Sequence, residues 1–217
     1  ADTKYGNQPI PNDPGNALAL LPGSNLSLAP KYSGSASMTY ETSLGDKAQA
    51  ISHYAAVLAK KPADPDATAA LENLLQDPAH REEAARALLP AYETAKDHRK
   101  TVHALSTIAE ATCDEGEKLT ALKKAGEIHA LHLRQPAQAF ASMAQAIRLA
   151  PGDAETRALA RASAEEADML DSYAEVLDEL LEAGVGPAAI ALHRELAEIF
   201  EKKLDDQAAA VKHLHAL

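Results

Sequence analysis

Apolar side chains return at helical spacing along most of the chain. Leu192, Leu196, Ile199, Phe200 and Leu204 fall on one face of a 3.6-residue helix, and Tyr173, Val176, Leu177, Leu180 and Leu181 do the same. From residue 33 onward the pattern predicts helices over 33–43, 46–60, 65–76, 79–96, 98–112, 115–133, 136–149, 153–166, 168–183, 187–203 and 205–217. The breaks between them have mechanisms. Gly45-Asp46, Asp77-Pro78, Asp114-Glu115-Gly116, Pro151-Gly152-Asp153 and Gly184-Val185-Gly186-Pro187 combine a helix-ending Gly with an Asp N-cap or a Pro able to open the next helix. Pro90 interrupts a periodic segment and predicts a kink or a restart there.

Each predicted helix has one face to bury and none is apolar all round, so each must lean on the helices before and after it. Residues 1–30 read differently, with Pro at 9, 11, 14, 22 and 30 and Gly at 6, 15 and 23 among Asn and Ser. Within them Leu18 with Leu20 and Leu26 with Leu28 follow the two-residue period of an extended peptide. Two readings stand: a flexible leader, or an extended arm lying in a groove of its own array or of a neighbouring copy. The chain thus divides into an irregular leader, 1–30, and a helical repeat region, 31–217.

Composition sharpens this picture. Aromatics are 4% of the 217 residues, with no Trp, so the core must be built from Ala and Leu at close helix–helix approach. A formal net charge of −11 repels a nucleic-acid backbone. No apolar run approaches the roughly 18–20 residues of a membrane span, so membrane insertion is not expected. One cysteine, Cys113, leaves the compartment open, with the cytoplasm slightly favoured over the periplasm. The chain opens at Ala1 rather than Met, which reads as a processed or cut end.

Three stretches align without a gap: 37–50, 126–139 and 197–210. Each opens on a small residue (Ser37, Gly126, Ala197), where one helix passes close to its partner, and closes on an Ala (Ala50, Ala139, Ala210) in the second helix. Pro62 and Pro151 stand twelve residues beyond the first two of those alanines. This pattern resembles the tetratricopeptide repeat, a helix-turn-helix unit of about 34 residues. The clearest unit is Leu122 to Pro151, with Gly126, Ala139, Ala146 and Pro151 at the small, small, small and proline slots and Met143 at a large apolar one. Its inter-helix turn is one residue longer than the consensus, and the blocks lie 89 and 71 residues apart.

The resemblance implies an all-α, right-handed α-solenoid of antiparallel helix pairs whose first helices line a concave groove for a partner peptide or helix. On that reading Tyr40, Lys123, Glu127, Ala130, Arg194, Glu198 and Glu201 are the candidate partner-binding residues. Some members of the family clamp a terminal carboxylate there with Lys and Asn. Here Lys123 with Glu127 and Arg194 with Glu198 stand four apart, and such opposite charges neutralise each other on a helix surface.

Catalytic and metal chemistry find little support. His129 and His132 share a helix face but lack a third ligand, and His129 occupies the slot of Tyr40 and Phe200, which suits a packed imidazole. His213 and His215 point apart, and His53, His80, His98, His103 and His193 stand isolated. Cys113 lies beside Asp114 at a helix end, where its thiol is not activated. The acidic clusters 114–117, 165–166 and 205–206 read as helix starts. No catalytic residue, cofactor or metal is therefore expected. The expected function is a protein-interaction scaffold. The rival reading is a structural subunit of a larger assembly, possible as a homo-oligomer, with Leu214 and Leu217 bare at its end.

Overall fold

The structure, a computed structural model, describes residues 47–203 and 206–217. The leader, the helix expected over 33–43 and Tyr40 lie outside these residues. Among the described residues ten α-helices follow one another: α1 Lys47–Lys60, α2 Pro65–Leu74, α3 Arg81–Ala95, α4 His98–Ala111, α5 Glu115–Ile128, α6 Pro136–Leu149, α7 Ala154–Glu166, α8 Leu170–Ala183, α9 Ala189–Lys202 and α10 Gln207–Leu214. There is no strand among the described residues.

The helix ends obey local chemistry. Asp64, Asp97, Asp114, Asp153 and Asp206 each accept a backbone N–H of the first turn they precede. Gly184 closes α8 in the left-handed conformation, φ 82°, which a residue without Cβ adopts at little cost. Two expectations are corrected. Of the kink or restart expected at Pro90 the restart does not occur: Pro90 sits on the exposed side of an unbroken α3, where water can hydrate the carbonyl that lost its donor. Glu165 and Glu166 end α7 rather than start a helix, and Glu165 is neutralised there by an ion pair with Lys203.

Packing runs between helices adjacent in the chain, with further contacts from α1 to α3 and from α6 to α8. Ion pairs give the direction. Arg86–Glu117 and Glu93–Lys124 join α3 to α5, both across 31 residues, so helices two apart run parallel and neighbours run antiparallel. Arg157–Glu195, Arg161–Glu198 and Glu165–Lys203 repeat this from α7 to α9, and Glu72–Lys100 from α2 to α4. Odd-numbered helices begin at residues 47, 81, 115, 154 and 189, a pitch of 34, 34, 39 and 35 residues. The fold is thus an all-α, solenoid-type stack of antiparallel pairs with a tetratricopeptide-like pitch.

This register corrects one part of the sequence alignment. Ala50 was expected in a second helix, equivalent to Ala139 of α6 and Ala210 of α10. Yet α1 packs on α3, which places it in the layer of α3, α5, α7 and α9. The small residues of the block fit either layer, since both layers need close approach.

The buried apolar residues form two clusters. One runs from Ile51 through Leu71, Leu88, Tyr92 and Leu105 to Ile128, and the other from Phe140 and Met143 through Tyr173, Leu177 and Leu192 to Ile199. Helix α6 joins them, with Ala146 in the first cluster and Ile147 in the second. Inside the second, the Tyr173 hydroxyl donates to Glu195 at 2.7 Å, and Glu195 accepts from the buried Arg157 at 3.1 Å. Burial pushes the Tyr173 hydroxyl well above its ordinary value, so it stays a donor.

The α5–α6 crossing is the tightest test of the small-residue rule. A Cβ on Gly126 would lie 2.7 Å from Met143 Cε and 3.0 Å from Cγ. Gly126→Val is expected to destabilise the protein by about 2–3 kcal/mol through overpacking. Adding Met143→Ala should recover part of that loss, giving a double-mutant coupling near 1 kcal/mol in urea denaturation.

Candidate partner-binding surface

Among the described residues no hydrogen bond or ion pair joins the expected binding residues to one another. Tyr40 lies outside the described residues. Lys123, Glu127 and Ala130 belong to α5 and the turn after it, while Arg194, Glu198 and Glu201 belong to α9, and α7 stands between the two in the odd layer. Nor do the expected four-residue pairs close. Lys123 reaches across to the N-cap of α7, donating to Asp153 at 2.8 Å, with Glu155 at 3.9 Å. Glu198 pairs with Arg161 at 3.4 Å and Lys202 at 3.6 Å, leaving Arg194 exposed on α9. The interhelical partners win because each Asp or Glu also sits at a helix start or faces a second cation.

What the structure does assemble lies around Glu127. A cleft of about 280 Å³ opens between the α3–α4 turn and the end of α5, lined by Glu93, Lys96, His98, Thr101, Lys124, Glu127, Ile128, Leu131 and His132. Its shape follows from the long inter-helix turn. Instead of lengthening the loop, the chain absorbs the extra residue as a π-helical turn, His129–Leu133, closed by Gln135 N–H on the His129 carbonyl and by Arg134 at φ 51°. The straight helix expected over 115–133 therefore changes pitch at its end, and Leu131 stands 75% exposed beside the cleft.

Polar groups frame that apolar spot. His132 stacks on His98 with ring centroids 4.0 Å apart and planes within 2°. Lys124 pairs with Glu93 across the α3–α5 seam. Glu127 is exposed, and no ion pair holds it among the described residues. His129 turns away, half-buried, with Nδ1 3.0 Å from Gln135 Oε1. The two histidines once paired by spacing thus diverge, while His98, thought isolated, gains a partner. Spacing could not show this, because His98 and His132 meet only after α4 and α5 fold back.

Chemically, the cleft offers an exposed leucine, an unpaired carboxylate and two stacked imidazoles, a combination suited to gripping an apolar side chain with a polar neighbour. Among the described residues no three His, Cys, Asp or Glu side chains stand close enough to hold a metal, and no helix is long and apolar enough to cross a membrane. A second cleft of about 340 Å³, lined by Pro62, Pro65, Ala69, Ala91 and Tyr92 among others, lies at the α1–α2 turn. There Glu72 accepts from both Tyr92 at 2.8 Å and Lys100 at 2.7 Å, which closes its polar end.

No family model matches the chain, and no curated protein matches it. Among solved structures the chain is similar to one described as "MamA RS-1 ArsTM double mutant", at 19% identity and TM-score 0.41, covering 80% of this chain and 93% of that one. Two further structures of MamA align at 15% identity, one at TM-score 0.43 over 79% of this chain and 90% of that one, the other at 0.37 over 81% and 93%.

The ion pairs along the stack make its stability acid-sensitive. Hydrogen bonds from Lys100, Lys47, Arg86, Lys123, Lys203 and Arg161 hold the carboxyls of Glu72, Asp77, Glu117, Asp153, Glu165 and Glu198 below their ordinary values. The unfolded chain then binds more protons as pH falls below the ordinary 3.8–4.5, so this stabilisation is present above that range and lost beneath it. Thermal melts should show Tm falling steeply below about pH 4.5, with a shallower fall in Lys123→Met and in high salt.

Proposed function

We propose that the protein is an interaction scaffold, a degenerate member of the tetratricopeptide repeat class without catalytic activity, which holds a polypeptide partner at the cleft beside the π-helical turn. Leu131 carries this reading. A side chain of that size left 75% in water, on a turn that departs from the regular helix, is an anchor point awaiting an apolar neighbour. Glu127 alongside it offers a carboxylate to a basic group of the same partner. The partner is a peptide or helix docking one apolar side chain over Leu131 and Ile128.

A second reading, a structural subunit of a larger assembly, draws on the last helix. Val211 and Leu214 of α10 and Leu217 beyond it are about half exposed, and Ile190 stands 58% exposed at the start of α9. Such a face suits contact with another subunit, and the two roles are compatible.

Pull-down from the native source, read by mass spectrometry, separates them. Leu131→Asp with Glu127→Lys is expected to lose a specific polypeptide that the unaltered chain retains, with unchanged helical content by circular dichroism. Retention of the same polypeptide by the double variant rejects the cleft. Retention combined with its loss in Val211→Asp with Leu214→Asp supports the second reading.

A further inference from the structure

The last helix pair repeats an earlier one position by position. With the start of α9 set on the start of α3, buried Leu192, Leu196 and Ile199 fall on buried Ala84, Leu88 and Ala91. With α10 set on α4 by their capping aspartates, Asp206 on Asp97, buried Ala210 and His213 fall on buried Thr101 and Ala104. The two pairs thus turn the same positions toward their own cores.

They differ at the face beyond. On α3–α4 that face seats α5. Val102 and Leu105 of α4 are buried in one cluster with Ala121, Leu122 and Ala125 of α5. Beside them Arg86 of α3 donates to Glu117 of α5 at 2.8 Å, and Glu93 of α3 pairs with Lys124 of α5. On α9–α10 the same four positions are Val211, Leu214, Arg194 and Glu201. The chemistry is kept: two aliphatic side chains, with an arginine and a glutamate seven residues apart. Here they stand open. Val211 and Leu214 are 49% and 53% exposed, and Arg194 and Glu201 are exposed with no ion pair among the described residues.

This pattern prescribes an occupant. A helix lying parallel to α9 must bring a carboxylate to Arg194 and, seven residues later on the same face, a cation to Glu201. Small or apolar side chains must lie between them, against Val211 and Leu214. The first helix described in a second copy of this chain does not fit, since α1 carries Gln49 and Ala56 where α5 carries Glu117 and Lys124.

We propose that the α9–α10 face is a docking seat for an amphipathic helix of a different polypeptide, which carries an acidic residue followed seven positions later by a basic one and lies there as α5 lies on α3–α4. This deepens the reading of the protein as a subunit of a larger assembly, and rests on it. Apolar burial over Val211 and Leu214 supplies most of the affinity. The two ion pairs set the direction of the helix, because reversing it sets Arg194 against the cation and Glu201 against the carboxylate.

The test uses the full chain and a labelled synthetic peptide with the sequence of 114–130, kept helical by a lactam bridge between positions 116 and 120, both exposed on α5. Fluorescence anisotropy should show saturable binding. Leu214→Asp should weaken it by more than about tenfold, and Arg194→Glu by about threefold to fivefold. A peptide with Glu117→Arg should bind the Arg194→Glu chain better than it binds the unaltered one, a reversal that general damage to the fold does not produce. Absence of binding by the helical peptide, or a charge swap without that reversal, would overturn the proposal. So would a dimer or larger species of the chain alone, seen by light scattering and lost in Leu214→Asp, which would give the seat to a second copy. The assembly reading is judged apart from this, by whether Val211→Asp with Leu214→Asp loses a polypeptide in the pull-down.

Discussion

The structure depends on the fact that no helix of this chain can satisfy its apolar face alone. Each carries a one-sided stripe, and with no Trp and few other aromatics the stripe is shallow. Burial therefore requires close approach, which Ala and Gly permit and larger residues forbid. Gly126 against Met143 is the extreme case, and Ala84, Ala104, Ala139, Ala146 and Ala160, all fully buried, are the ordinary ones. Helix α6 contributes to both apolar clusters and so transmits the packing from one half of the stack to the other.

Electrostatics then selects the register. Exposed ion pairs contribute little stability one by one. Here they recur across 30 or 31 residues in the first part of the stack, as in Lys47–Asp77, Arg86–Glu117 and Lys123–Asp153, and across 37 or 38 between α7 and α9. A slip of one helix past another by a turn would break several together. The pitch differs by one residue, 34 from α3 to α5 and 35 from α7 to α9, so the longer interval comes from where the charges stand: Glu117 lies nearer its helix start than Arg86 does, and Glu195 farther from its own than Arg157.

Much of the helical framework was legible in the residues. Asp and Pro at the breaks place α1, α4, α6 and α7 within a residue or two, because capping is a local interaction. Gly126, Ala139, Ala146 and Pro151 also fall where the repeat resemblance puts them. The site was far less legible. Lys123 was paired in the sequence with Glu127, four residues away, but its stronger partner, Asp153, belongs to another helix pair. Leu131 looked like one more residue of a straight helix until the extra residue of the turn became a π-helical turn. His98 with His132, and His193 with His213, meet through tertiary packing that no spacing within one helix encodes. The interhelical charge interval was the signal available for such pairs, and it emerges only when residues about 30 apart are compared.

What results is a stack whose stability is built from neighbour contacts, close from α3 to α7 and sparser about α8, with an exposed leucine, Leu131, where regularity lapses. Native-state amide exchange under increasing urea at neutral pH tests this most directly. The account predicts separate opening units, with α8–α10 exchanging by smaller, less urea-sensitive openings than α4–α6. A single opening shared by all helices, with one urea dependence, would contradict it.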